Sequence, residues 1–332
     1  MKLIIQIPCY NEADTLAGTI ADLPKSLEGI DAVEYLVVDD GSEDGTAEAA
    51  RALGVGHIVS YPNNRGLAHA FMAGIDACLR LGADIIVNTD ADNQYQGEDI
   101  EKLIGPILAG RAEVVIGERP IDDTPHFSAR KKKFQRIGSM VVRIASGTDV
   151  PDAPSGFRAY TRDAAMRINV INEYTYTLET IIQAGMNKTP VASVPVRTNP
   201  ETRKSRLFKS MWAYMRRSAS VITRSLMMYR PLKFFVTIGS VIAAVGLAFV
   251  IRFVVIAIVD SPEGHIQSLV LAAMLIMVGT QFIVSGLQAD IISANRKILE
   301  DIQYRIRKQD YASGQGDGSF GTADDRADEG DA

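Results

Sequence analysis

The 332-residue chain has only two cysteines, Cys9 and Cys78, and four histidines. Both cysteines stand among apolar residues, so no disulfide framework is expected and a reducing compartment suits the chain. Four scattered histidines beside two buried thiols do not make a zinc site. No Gly-x-Gly-x-x-Gly follows the first apolar run, which removes the dinucleotide-binding reading. Internal repeats are absent, and the opening KLIIQIP lacks the basic, apolar and small-residue layout of a signal peptide. Acidic and basic charge are unevenly spread. The formal net charge is −5, and the tail from Tyr311 to Ala332 alone carries six acids against one Arg. Between Arg197 and Lys233 the balance reverses, with ten Lys or Arg and one Glu.

Over the first 120 residues, short apolar β-forming runs alternate with helical spacing. KLIIQIP, AVEYLVVDD, VGHIVSYP, ADIIVNTD and AEVVIGERP read as strands, separated by helices such as NRGLAHAFMAGIDACLRLG. That alternation predicts an α/β fold, a Rossmann-like and mostly parallel sheet with helices on both faces. In such sheets ligands bind beyond the carboxyl ends of the strands. Here three strand ends are acidic: PCYNE, VDDGSEDGT and TDADNQ bring Glu12, Asp39, Asp40, Asp90 and Asp92 to one edge. Turn and N-cap preferences explain any one of these acids. They do not explain three strand ends behaving alike, because uncompensated carboxylates repel and need a cation or a set of donors. Beyond residue 130, KKKFQRIGSMVVRIASG reads as a basic amphipathic helix, VPDAPSGFRAYTRDAA as a loop leading into a helix, and PVASVPVRT as a strand.

Hydrophobic residues make up 47% of the chain and concentrate between about 232 and 292. Leu232–Val259 has Arg252 as its one internal charge, and Leu269–Leu287 is a 19-residue run with none. Each is long enough to cross a hydrocarbon core of about 30 Å. The loop between them has no Lys or Arg. Arg224, Arg230 and Lys233 flank one side, and Arg296, Lys297, Arg305 and Arg307 the other. This predicts a two-helix transmembrane hairpin in the cell membrane, with the α/β domain and both termini cytosolic. The preceding segment, where Phe208, Trp212 and Tyr214 accompany many Arg, reads as an interfacial amphipathic helix facing anionic headgroups. The aromatic and Met content beside a membrane hairpin excludes a nucleic-acid site there. The expected organisation is a catalytic domain over 1–200, a basic juxtamembrane segment over 201–231, two transmembrane helices over 232–292, a cytosolic helix over 293–310 and a disordered acidic tail over 311–332.

Asp90-Ala91-Asp92 places two carboxylates on the same side of a strand end, which suits an oxygen-ligated divalent cation, Mg²⁺ or Mn²⁺. Mg²⁺ is commonly held by one or two carboxylates with substrate phosphate oxygens completing its shell. The pattern therefore reads as a nucleoside-diphosphate site, and Gln94 offers an amide oxygen to the same ion. IPCYNE, VVDDGSEDGT, NNRGLAHA, TDADNQ, IGERP, PSGFRAY and TRKSRL, in this order, resemble the motifs of family 2 glycosyltransferases with the GT-A fold. Within that family the chain looks like the polyisoprenyl-phosphate glycosyltransferases. The resemblance covers about residues 1–210.

The resemblance implies that Pro8, Tyr10 and Glu12 line the nucleoside and that Asp39 and Asp40 contact base and ribose. Asp90, Ala91, Asp92 and Gln94 match the metal and diphosphate motif. Arg119 matches a phosphate-contacting Arg, and Arg136 and Arg158 lie in stretches near acceptor and sugar. Arg203, Lys204 and Arg206 correspond to a Gly-x-Ser-Lys segment that grips phosphates, although the glycine is missing here and Arg206 stands where Lys is commoner. The implied reaction is metal-dependent, inverting transfer of one sugar from a nucleotide-diphosphate donor to a polyisoprenyl phosphate. A hydroxyl acceptor would need a general base, for which Glu173 and Glu179 are the rival residues. A lipid phosphate needs cations and no base. A polymer-forming enzyme is disfavoured by the absence of Gln-x-x-Arg-Trp. A non-catalytic sugar-nucleotide-binding scaffold is disfavoured by the intact Asp90, Asp92, Gln94 and Arg119 set. Donor sugar, lipid length and any homo-oligomer stay open.

Overall fold

Strand-forming residues that are apolar on both sides of the chain are expected to sit mid-sheet. Leu3, Ile4, Ile5 and Ile7 are all fully buried in the first strand. In the computed structural model, residues 1–120, 146–171, 176–200, 227–259 and 266–312 are described, with single helical residues between 139 and 143 and between 216 and 224. The elements are β1 (Lys2–Cys9), α1 (Ala13–Asp22), β2 (Ala32–Asp39), α2 (Thr46–Ala52), β3 (His57–Ser60), α3 (Leu67–Arg80), β4 (Ile85–Asn88), α4 (Ile100–Leu108), β5 (Val114–Glu118), β6 (Arg158–Thr161), α5 (Arg162–Arg167), α6 (Thr177–Met186), β7 (Val191–Pro195), α7 (Pro231–Val259) and α8 (Ile266–Ala312).

The seven strands form one mixed sheet in the order β3-β2-β1-β4-β6-β5-β7. From β1 the chain builds outward through β2 and β3, then returns to the other side of β1 as β4. The point between β1 and β4 is therefore a topological switch, with a crevice outside the carboxyl ends. One face packs Leu3, Ile5, Ile7, Val37, Ile85 and Val87 against Leu16 of α1 and Ile100, Leu103 and Ile104 of α4. Each such fully buried aliphatic side chain contributes about 1.5–3 kcal/mol of transfer free energy. The spacing at 100, 103, 104 and 107 is the helical stripe that α4 needs to cover the sheet.

One expectation is corrected. The stretch read as a loop before a helix contains β6, which runs antiparallel to both β4 and β5. A four-residue strand has little period of its own, and its pairing partners supply the definition. Arg158 and Tyr160, on one side of β6, are buried at 0% and 1% exposure.

The chain divides into two compact units, Met1–Val221 with Asp301–Ala332, and Ile222–Glu300. Within the first unit the end of α8 is fastened to the α/β layers. The Tyr304 hydroxyl donates to Asp163 and that of Tyr311 to Asp76. Arg307 donates to the carbonyls of Met166 and Ile168 at 3.1 and 2.9 Å, satisfying the open C-terminal end of α5. α8 is one helix of 47 residues.

In the second unit α7 and α8 have windows of mean hydropathy 2.8 and 2.1, long and apolar enough to cross a membrane. Only 6% of the α7 window is buried by protein, which leaves its apolar surface for another solvent. Small residues bring the two helices together: a Cβ on Gly279 would stand 2.6 Å from the Gly239 carbonyl oxygen, so backbone meets backbone. Just before the start of α7, Ser293 donates to the Met228 carbonyl at 3.0 Å and Arg296 to the Tyr229 hydroxyl at 2.8 Å. Most of the amphipathic segment 201–231 and the tail beyond Ala312 lie outside the described residues.

Candidate active site

The loops leaving β1 and β2 are tied to each other. Asn11, with φ +55°, donates its amide to Ser42 Oγ at 2.9 Å and accepts from the Glu43 amide at 2.9 Å. The Glu12 amide donates to Thr46 Oγ1 at 2.9 Å, and the Ala13 amide to Asp44 Oδ2 at 3.1 Å. This holds Pro8 and Glu12 beside the end of β2 and leaves Tyr10 at 43% exposure, a large aromatic presented to solvent at the crevice edge. Asp39 is buried and accepts from the Ser42 amide at 3.0 Å.

Asp40 lies next to Asp39 and meets the turn that leads into α3. Its Oδ1 accepts from the Arg65 amide at 2.9 Å and its Oδ2 from the Gly66 amide at 2.8 Å, immediately before α3. Its carboxylate, 1% exposed, therefore holds and orients the NNRG turn.

Beyond β4, Asp90 and Asp92 stand on the crevice lip. Asp92 Oδ1 accepts from the Gln94 amide at 3.1 Å, the local ring that bends the chain after a strand. Asn93 completes the bend with φ +54°. The loop is braced from below: Thr19 donates to the Ala91 carbonyl at 2.9 Å, and Asn199 meets Asn93 and Gln94 carbonyls at 3.0 and 2.8 Å. Burial pushes the Asp90 carboxyl up to about 7, reinforced by the charge of Asp92 and opposed by Arg119 and Arg158. A carboxyl raised in this way, next to a second acid, is a group that gains from a cation. Among the described residues no third acid, His or Cys joins the pair. Two carboxylates are a sufficient protein contribution for Mg²⁺ or Mn²⁺ when diphosphate oxygens complete the shell, so the residues fit that group.

Arg119 and Arg158 both meet the protein's own groups. Arg119, at the end of β5, makes a bidentate pair with Asp152, its Nε and Nη2 donating at 2.7 and 2.9 Å. Asp152 is fully buried and Arg119 15% exposed. Burial alone lowers the guanidinium, and the charge of Asp152 outweighs it, so Arg119 stays charged. Arg158 is fully buried. It donates to Ser155 O at 2.7 Å, Ala153 O at 2.8 Å and Thr180 Oγ1 at 2.7 Å, and lies over the Tyr176 ring. Its donors meet two of the protein's own carbonyls and a hydroxyl, and so hold the 152–157 loop. Glu179 is 3% exposed and accepts from the Ile171 amide at 3.3 Å. Arg136, Glu173, Arg203, Lys204 and Arg206 lie outside the described residues.

Several residues that shape the site were not singled out from sequence. Asn88, fully buried, accepts from Gln6 Nε2 at 2.9 Å and donates to Gly156 O at 2.8 Å and Tyr176 Oη at 2.9 Å. A carboxamide closing the apolar run IIV is the one signal that could have marked it. Tyr95 and Tyr176 carried no such signal; their stacking on Phe157 and Phe71, at 4.8 and 3.8 Å between ring centroids, is visible only in three dimensions. Asp99, fully buried before α4, is held by Arg197 Nε and Nη2 at 3.0 and 2.8 Å.

A doubly wound sheet with a paired-carboxylate lip at its switch point suits a divalent cation and a phosphorylated ligand. Residues 4–168 match the glycosyl transferase family 2 model. The UDP-N-acetylglucosamine–dolichyl-phosphate N-acetylglucosaminyltransferase of Methanococcus voltae is 30% identical over 59% of this chain and 86% of its own length. The undecaprenyl-phosphate 4-deoxy-4-formamido-L-arabinose transferase of Yersinia pestis is 26% identical over 92% of this chain and 91% of its own. Glucosyl-3-phosphoglycerate synthase from Mycobacterium tuberculosis, solved with Mn²⁺, UDP-glucose and phosphoglyceric acid, shares the fold at TM-score 0.54 and 21% identity, over 68% of this chain and 78% of that one. The chain belongs to glycosyl transferase family 2 and is a glycosyltransferase.

Proposed function

We propose that this glycosyltransferase moves one sugar, with inversion, from a nucleoside-diphosphate donor to a polyisoprenyl phosphate at the cytosolic face of the membrane. The observation that carries the reading is the Asp90–Asp92 pair on the β4 lip, beside the interlocked β1 and β2 loops. Asp90 and Asp92 hold the divalent cation, Mg²⁺ or Mn²⁺, which when bound offsets the charge that develops on the departing diphosphate. Tyr10 stacks at the nucleoside and Asp39 contacts its polar edge, while Asp40 holds the neighbouring turn. An oxygen of the lipid phosphate bonds to the anomeric carbon as the bond from that carbon to the diphosphate oxygen breaks, and the electron pair leaves with the nucleoside diphosphate. No proton needs removing, since a phosphate monoester is already anionic near neutral pH. The dense Lys and Arg between 197 and 233, ahead of two membrane-length helices, suits such an acceptor. The names of the relatives above, both acting on polyisoprenyl phosphates, support the same acceptor class.

The test is transfer of label by the purified, detergent-solubilised chain. A panel of UDP- and GDP-sugars is offered with undecaprenyl phosphate and Mn²⁺ or Mg²⁺, and the organic extract is counted. Metal-dependent label in lipid from one donor is expected, with loss of donor binding in Asp92→Ala while the fold is retained. Donor hydrolysis without lipid label would move the acceptor to another class, and neither activity nor nucleotide binding would leave a non-catalytic membrane protein.

A further inference from the structure

The Asp90 carboxylate lies against the backbone of Gly156, in the loop on the far side of the crevice lip. A Cβ on Gly156 would stand 2.9 Å from each Asp90 carboxylate oxygen and 3.0 Å from the Tyr176 hydroxyl. The φ of Gly156 is outside the left-handed region, so the backbone itself does not demand glycine. What demands it is the carboxylate.

Gly156 is in turn held from three elements. Its carbonyl accepts from Asn88 Nδ2 at 2.8 Å and from the Tyr176 hydroxyl at 3.4 Å. Its amide donates to the Tyr95 hydroxyl at 3.3 Å. Tyr176 is clamped by an almost parallel stack on Phe71, 3° between planes, and Tyr95 by a 14° stack on Phe157. Asn88 is set by Gln6 across β1 and β4. A buried network in which each member has a fixed partner is rigid, and rigid surroundings define the orientation of the ligand group they touch.

We propose that Gly156, pinned by Asn88, Tyr95 and Tyr176, is the seat that orients the Asp90 carboxylate toward its cation, and that these are positioning residues for metal binding. The proposal rests on the metal reading of Asp90 and Asp92. Adding a methyl group at 156 displaces the nearest movable atoms, which are the carboxylate oxygens at the end of the Asp90 side chain and not backbone. Gly156→Ala therefore keeps the fold and misplaces a ligand. Tyr176→Phe removes one hydroxyl and leaves the stacked ring, loosening the seat without a clash.

The experiment titrates the full-length chain in detergent with Mn²⁺, alone and with UDP or GDP, reading free Mn²⁺ by electron paramagnetic resonance and unfolding by a thermal scan. Loss of a supporting partner around a metal ligand typically weakens binding by about 10–100-fold. Gly156→Ala is expected at about tenfold weaker Mn²⁺ binding and Tyr176→Phe at a smaller but measurable loss, with unfolding temperatures close to native. A purely structural role would lower the unfolding temperature and leave Mn²⁺ affinity alone, which overturns the proposal. Native Mn²⁺ affinity in Tyr176→Phe also overturns it, even when Gly156→Ala fails to fold. If the native chain takes no Mn²⁺ with either nucleotide, the metal reading falls and this inference with it. Binding by the native chain that both variants match removes the seat and leaves the metal reading standing.

Discussion

Replacing Arg158 by Met tests whether that guanidinium serves the loop or a ligand. The substitution keeps the stem and removes three hydrogen bonds, to Ser155 O, Ala153 O and Thr180 Oγ1. Thr180 retains a partner, since its hydroxyl also donates to the Tyr176 carbonyl at 2.8 Å. The two carbonyls are left in a site with no exposure. An orphaned buried acceptor costs about 1–3 kcal/mol, so two of them with some relaxation of the loop cost about 3–4 kcal/mol. For a domain of this size each kcal/mol lowers the unfolding temperature by roughly 2–4 °C, so a fall of about 10 °C is expected in scanning calorimetry of the full chain in detergent. Arg158→Lys restores the charge but not the planar fork that reaches two carbonyls, so it recovers only part of that loss. Phosphate contact predicts the opposite pattern: transfer abolished in Arg158→Met with an unfolding temperature within about 2 °C of native. That result would refute the reasoning.

Two further substitutions probe other parts of the chain. Burial raises the Asp99 carboxyl, but hydrogen bonds from Arg197 and Lys102 outweigh it and hold Asp99 below its ordinary 3.8. A depressed carboxyl contributes stability above its unfolded value and loses it as pH falls through the folded value. Asp99→Asn should therefore cost about 1–2 kcal/mol at pH 7, discounted for the half-exposed Arg197, with the gap to native narrowing below about pH 4 in denaturant titrations. A gap independent of pH would remove the ion pair as its cause. In the membrane-length pair, Gly279→Val sets a branched side chain where a Cβ already falls 2.6 Å from Gly239 O and 2.8 Å from the Ala243 amide nitrogen. Separating the helices should cost on the order of 1–3 kcal/mol, with Gly279→Ala milder, measured as thermal loss of helical signal in detergent. Equal stability of native and Gly279→Val would contradict the close packing.

Much of this molecule is local in origin and therefore legible along the chain. The runs in β1, β2 and β4 are apolar on both sides, and that alone requires a sheet covered twice. A strand must end somewhere, and Asp90 and Asp92 follow β4 directly, so their place on the lip is a matter of sequence position. Apolar length is also one-dimensional, which is why Leu232–Val259 and Leu269–Leu287, inside the helices over 231–259 and 266–312, were visible as long runs. Tertiary contact decided the rest. β6 is a strand because β4 and β5 lie on either side of it. Whether an arginine grips a ligand or its own protein depends on what the fold brings within 3 Å. Arg119 meets Asp152, 33 positions away, and Asn88 meets Tyr176, 88 positions away. Spacing along the chain carries no trace of such pairs. Asp40, equally acidic in sequence to Asp39, became a cap because the Arg65 and Gly66 amides arrive there from the start of α3. The residue types were written in the sequence, but their partners, and so their roles, were assigned by packing.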